Sequence, residues 1–182
     1  MKDFSREGQS LRLRLSTYEA AILTSMVEQV AGLLEGDAPL GGDDPFARWQ
    51  AELAPPVELD FSDPVIARLF PEAYPSDQSA SDEFRRLTLA GQRQQRLDDA
   101  AVVLEALRGA NGRRLTIASG QAEAWLKTLT AVRLSLAIRL EIDTEDDARQ
   151  AARFGPDDPR SFVFQVYEWL AYLSEGILGL LG

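Results

Sequence analysis

The sequence predicts a mostly α fold: an irregular helical bundle around one central helix, with a small two-stranded β-ribbon attached. Three observations carry this. Residues 119–140 (SGQAEAWLKTLTAVRLSLAIRL) are apolar on more than one side. Two further long stretches, 17–36 and 79–109, carry apolar residues at helical spacing. Only two short runs, LRLRL and LTI, show the two-residue alternation of a strand. At 182 residues and 45% hydrophobic content the chain fits one domain with a sizeable core.

Residues 1–9 read as loosely held. Leu11, Leu13 and Leu15 alternate with Arg12 and Arg14, as in a half-buried strand. Ser16-Thr17-Tyr18-Glu19 is a capping-box pattern that opens a helix. That helix places Ala21, Ile22, Met26, Val30, Leu33 and Leu34 on its apolar side and stops at Gly36. Residues 36–62 hold Gly-Gly, Pro-Pro and scattered acids, and read as an acidic loop, disordered in part, with a short turn of helix around Phe46 to Leu53. Asp63 is a fair N-cap for a short helix whose first residue is Pro64 and which ends before Pro71.

Residues 79–109 are helical, with Phe84, Leu87, Leu97, Ala101, Leu104 and Leu107 as apolar positions. Arg85, Arg86, Arg93 and Arg96 are placed on the outside, and Gly91 marks a break or bend. After a turn at 109–112, Leu115-Thr116-Ile117 forms a strand that pairs with the first, because a lone strand leaves its backbone groups unsatisfied. In the central helix Ala122, Trp125, Leu126, Leu129, Leu136, Ala137 and Leu140 fall on one stripe. Leu134 and Ile138 fall outside it, so other helices should surround this one. Residues 141–160 form an acidic connecting segment with one helix from Glu145 to Phe154. Phe162 to Leu181 closes the chain as a helix with Val163, Val166, Tyr167, Leu170 and Leu173 on one face.

The net charge is −10. Residues 36–63 carry seven acids against one base and residues 141–160 seven against three, so these two segments hold all of it. The rest of the chain is balanced, which disfavours nonspecific binding to nucleic acid. There is no cysteine and no histidine. That removes disulfides, thiol sensors and thiolate metal sites, along with the commonest general base and nitrogen ligand. No phosphate loop, nucleophile elbow or dinucleotide fingerprint is present. The acidic runs at Asp43-Asp44, Glu145-Asp146-Asp147 and Asp157-Asp158 lack the spacing and glycine of a calcium loop. No catalytic residue, metal or cofactor is therefore expected. No basic segment precedes an apolar run and no stretch is long enough to span a bilayer, so the cytoplasm is the expected location.

Four stretches in order, DPVIARLFPEAYPSD, DEFRRLTLAGQRQQRL, AEAWLKTLTAVRLSLAIRLEI and VYEWLAYLSEGI, resemble an actinobacterial domain-of-unknown-function family that includes an oxidative-stress transcriptional regulator. The resemblance covers nearly the whole chain. It implies a cytoplasmic, stress-responsive regulator of transcription that works through other proteins of the transcription machinery. The cysteine-based redox sensing attached to that regulator does not carry over, because this chain has no cysteine.

Candidate site residues follow from charge and aromaticity. Arg133 interrupts the central apolar stripe, where a charge is costly unless paired. The ordinary reading is an ion pair with Glu168, Asp63 or Glu83; the alternative is a cavity in which Arg133 recognises a carboxylate or phosphate. Arg68, Arg85, Arg86, Arg93 and Arg96 form a candidate basic face, but residues 64–140 carry eleven bases against eight acids, too slight an excess for a nucleic-acid footprint. Trp169 and Tyr172, with Trp125 and Tyr167, are core residues or an aromatic interaction surface. The expected function is non-enzymatic regulation through protein contacts, with a homodimer through the apolar C-terminal helix. Direct DNA binding and a small-molecule site at Arg133 are the alternatives.

Overall fold

The computed structural model describes residues 4–36, 58–110 and 114–179. The described chain is mostly helical. Its elements are β1 (Phe4–Glu7), β2 (Ser10–Arg14), α1 (Thr17–Glu35), α2 (Pro64–Leu69), α3 (Gln78–Gly109), β3 (Arg114–Ala118), α4 (Ala122–Arg139), α5 (Glu145–Ala151) and α6 (Pro159–Leu178). A 3-10 turn, Ser119–Gln121, leads into α4. The expected short helix near Phe46 and most of the acidic loop lie outside the described residues.

The sheet has three strands, not two, in the order β1-β2-β3. β2 and β3 pair antiparallel, with Leu11 opposite Ile117 and Leu13 opposite Leu115. All four side chains are buried, so the alternation in LRLRL does put one face on the core. The added strand lies within the segment read as loose. Gly8, at φ 58°, closes a two-residue loop between Glu7 and Ser10. Phe4 anchors β1 by packing on α6, where its ring meets Tyr172 at 5.1 Å between centroids.

The helix starts follow local chemistry. Ser16 and Glu19 complete the capping box of α1, and Asp63 accepts from the amides of Val65 and Ile66 at the head of α2. The buried stripe of α1 is Leu23, Val27, Val30 and Leu34, rotated from the predicted one; Ala21 is exposed. α3 runs unbroken through Gly91, around which there is open space. A single glycine costs a helix only about 1 kcal/mol, which packing offsets. Its buried apolar residues are Ala100, Val103, Leu104 and Leu107, whereas Phe84, Leu87 and Ala101 face outward.

α4 is enclosed by α1, α2, α3 and α6, as two-sided apolarity predicts. Trp125 and Leu129 are fully buried at its centre. The main core gathers the sheet and five helices around them. A smaller cluster of Ala137, Leu140, Ile142 and Ala151 joins the end of α4 to α5. The apolar face of α6 packs inside the chain: Val166, Leu170, Leu173 and Ile177 are buried, and α4 is its principal neighbour.

Candidate functional site

A cleft of about 260 Å³ opens between α2, α4, α6 and the α4–α5 connection. Its position is set by how α4 ends. Ile142 donates its amide to the carbonyl of Ala137 at 2.8 Å and Glu141 to that of Ile138 at 3.1 Å. This is a Schellman ending, with Glu141 at φ 56° where glycine is usual. The turn buries Ile142 and carries Asp143 and Thr144 to the cleft rim.

Arg133 lies inside this cleft. Its guanidinium carbon stands 4.4 Å from the ring centre of Tyr167. Its Nε is buried and has no hydrogen-bond partner among the described residues. No carboxylate pairs with it among the described residues. The expected ion pair is therefore absent: Glu168 is exposed, Asp63 caps α2, and Glu83 is exposed on α3. A cation over an aromatic face needs less hydration than a bare charge, which is how the apolar stripe tolerates Arg133. Leu134, Ala137, Ile142 and Ala148 form apolar walls.

Arg68 reaches the same cleft from α2 and pairs with Asp143 at 2.6 Å, tying α2 to the α4–α5 turn. Beyond the rim, the Asp147 carboxylate accepts from the Thr144 hydroxyl at 2.8 Å and from the Asp143 and Thr144 amides. These bonds, that of the Thr144 hydroxyl first, hold its pKa below the usual aspartate value. The sequence singled out Arg68 and Arg133, and the structure brings them to one cleft.

The predicted basic face does not form as a unit. Arg93 turns inward and donates to the carbonyls of Leu34 and Glu35, closing the end of α1. Arg96 donates to the carbonyl of Leu69 at 2.8 Å, closing α2. Arg85 lies 4.4 Å over the Phe61 ring with Asp82 at 3.7 Å. Of the four arginines on α3's predicted basic side, Arg86 remains exposed. Cationic side chains capping carbonyls at helix ends are favourable on dipole grounds.

The aromatic candidates divide. Trp169 is half-buried against the main core, and Tyr172 is exposed beside Phe4. A different apolar patch appears on the first half of α3 and the turn that precedes it. Tyr74, Phe84 and Leu87 are 50%, 39% and 67% exposed, and Tyr74 meets Phe84 edge-on at 6.1 Å. Phe84 and Leu87 are neighbours at three-residue spacing on one helix face.

One polar cluster escaped sequence reasoning. Arg96 Nε, Asp99 Oδ2 and Thr128 Oγ1 are buried without partners among the described residues, around a void of about 10 Å³ between α1, α3 and α4. That is about the space of one water molecule. Burial pushes the Arg96 guanidinium below its ordinary pKa, against the pull of Asp99. The local pattern gave no signal for it, since Asp99 and Thr128 look like ordinary helix-surface residues.

Among the described residues no helix is long and apolar enough to cross a membrane. No group of three or more metal-ligating side chains converges among them.

The comparisons with known proteins bear on the whole chain. The oxidative stress regulator AosR of Mycobacterium tuberculosis (strain ATCC 25618 / H37Rv) is 25% identical over 193 residues, spanning 94% of this chain and 82% of its own. The same-named protein of Mycobacterium bovis matches equally. The putative oxidative stress regulator AosR of Mycobacterium leprae is 29% identical over 184 residues, spanning 92% of this chain and 81% of its own. No solved structure matches. The profile of a family described as domain of unknown function (DUF2017) matches residues 1–181, and the chain belongs to that family.

Proposed function

We propose that this protein is a non-enzymatic, cytoplasmic regulator of a stress response, acting on transcription through protein contacts. The names of its mycobacterial relatives support the regulatory part. The contact surface is the first half of α3 with the turn that precedes it, and the observation that carries it is the exposed group Tyr74, Phe84 and Leu87. Large apolar side chains clustered in water mark interaction surfaces more often than isolated ones do. Arg86 lies beside them on the same half-helix and supplies a charged rim. Trp169 and Tyr172, on α6, belong to a separate face.

The test is affinity recovery of the tagged full chain from actinobacterial cells, with and without oxidant. Recovery of RNA polymerase or a sigma factor, lost in Leu87→Asp and in Phe84→Glu, supports the reading. Far-UV circular dichroism checks that both variants stay folded. Recovery that neither substitution changes overturns the assigned surface, and recovery of this chain alone overturns the protein-contact reading. A salt-dependent gel shift that Arg85→Ala and Arg86→Ala weaken would redirect the function to direct DNA binding.

A further inference from the structure

We infer that the cleft around Arg133 binds a small organic monocarboxylate with an apolar body. The inference stands on the cleft alone and is independent of the α3 surface.

Arg133 presents an unmet need. Its Nε is buried with no acceptor among the described residues, although such a donor ordinarily finds one. Tyr167 covers one face of the guanidinium, so an incoming acceptor must approach along its edge. A carboxylate can meet the two terminal nitrogens of that edge with two parallel hydrogen bonds, Nε itself being closed off from the cleft. Leu134, Ala137, Ile142 and Ala148 then face whatever body the carboxylate carries, and they are apolar.

The charge of the ligand follows from the rim. Arg68 is already paired with Asp143, and Glu145 at the mouth is paired with Arg149 at 3.1 Å. Among the described residues, Arg133 is thus the one cation lining the cleft that no carboxylate neutralises. One negative charge is satisfied there, while the second charge of a dianionic phosphate finds no further unpaired cation among the described lining residues. At about 260 Å³ the space is near the lower end of small-molecule sites, which suits a compact acid and not a nucleotide.

The experiment uses the 15N-labelled full chain and follows the side-chain Nε–H resonance of Arg133, assigned by its loss in Arg133→Lys. Sodium benzoate, benzamide and inorganic phosphate are titrated separately at constant ionic strength. Benzoate should shift the Arg133 resonance saturably, at least tenfold more tightly than either benzamide or phosphate. Arg133→Met should weaken benzoate binding at least tenfold, read on backbone amides around Ile142 and Ala148. Should that variant unfold, the wild-type resonance and Arg133→Lys, which keeps the charge but not the two-pronged edge, still decide. The inference is overturned by the absence of a saturable shift, by benzamide binding as well as benzoate, or by phosphate binding more tightly.

Discussion

Replacing Gly176 by alanine should lower stability in the wild-type chain and raise it once Phe4 is removed. Gly176 lies within α6, where helix propensity alone favours alanine by roughly 0.8–1 kcal/mol. A methyl group at this position would stand 2.5, 2.7 and 2.8 Å from three ring carbons of Phe4. Carbon atoms pack best at roughly 3.5–4.0 Å, so the ring has to move by about 1 Å. Overpacking of this kind costs about 1–3 kcal/mol. Movement of the ring disturbs its contact with Tyr172, which seats β1 on α6. The two effects leave a net loss of about 1 kcal/mol. In the Phe4→Ala background the obstacle is gone and the propensity gain of about 1 kcal/mol stands alone. The coupling between the two sites is then about 2 kcal/mol. Urea denaturation of the four proteins, followed by tryptophan fluorescence, measures it by linear extrapolation. If Gly176→Ala changes stability with the same sign and size in both backgrounds, the seating of β1 on α6 is wrong.

Glu141→Gly should stabilise the chain by about 0.5–1 kcal/mol, because φ 56° costs a side-chain-bearing residue and not glycine; a thermal midpoint that stays or falls contradicts the Schellman ending. Leu129→Ala should cost about 2–5 kcal/mol, since Leu129 is fully buried at the centre of α4; a loss below 1 kcal/mol in the same urea assay would mean the centre is not close-packed. Asp147 should titrate below the ordinary aspartate value. Its folded pKa is depressed, so its contribution to the α5 cap is complete above the unfolded value and is lost as pH falls through the folded one. Carboxyl 13C shifts followed downward from pH 6 give the midpoint, and one at or above about 4 would remove the Thr144 and Asp143 hydrogen bonds from the account.

The candidate site was half legible. Arg133 stood out because a charge in an apolar stripe conflicts with its surroundings, and that conflict is visible in one helix. Its answer was not, because Tyr167 lies 34 positions away and an aromatic face leaves no periodic trace opposite a particular arginine. Arg93 and Arg96 failed for the same reason: on their own helix they look solvated, and only the ends of α1 and α2 give them carbonyls to close. The α3 patch was hidden because Phe84 and Leu87 continue the apolar spacing of a helix whose second half is buried.

The sequence by itself determined the α-rich class, the starts of α1 and α2, the pairing partners Leu11–Leu15 and Leu115–Ile117, and a central helix enclosed on several sides. Each depends on short-range chemistry: a hydroxyl or carboxylate capping nearby amides, a period of two, or apolar residues all round one helix. Tertiary structure alone decided that residues 4–7 form a third strand, that α3 passes straight through Gly91, that α6 spends its apolar face inside the chain, and that Arg133 meets a ring in an open cleft. These outcomes depend on which surfaces meet across long separations. Burial there is set by the geometry of packing, which neighbouring residues in the chain do not encode.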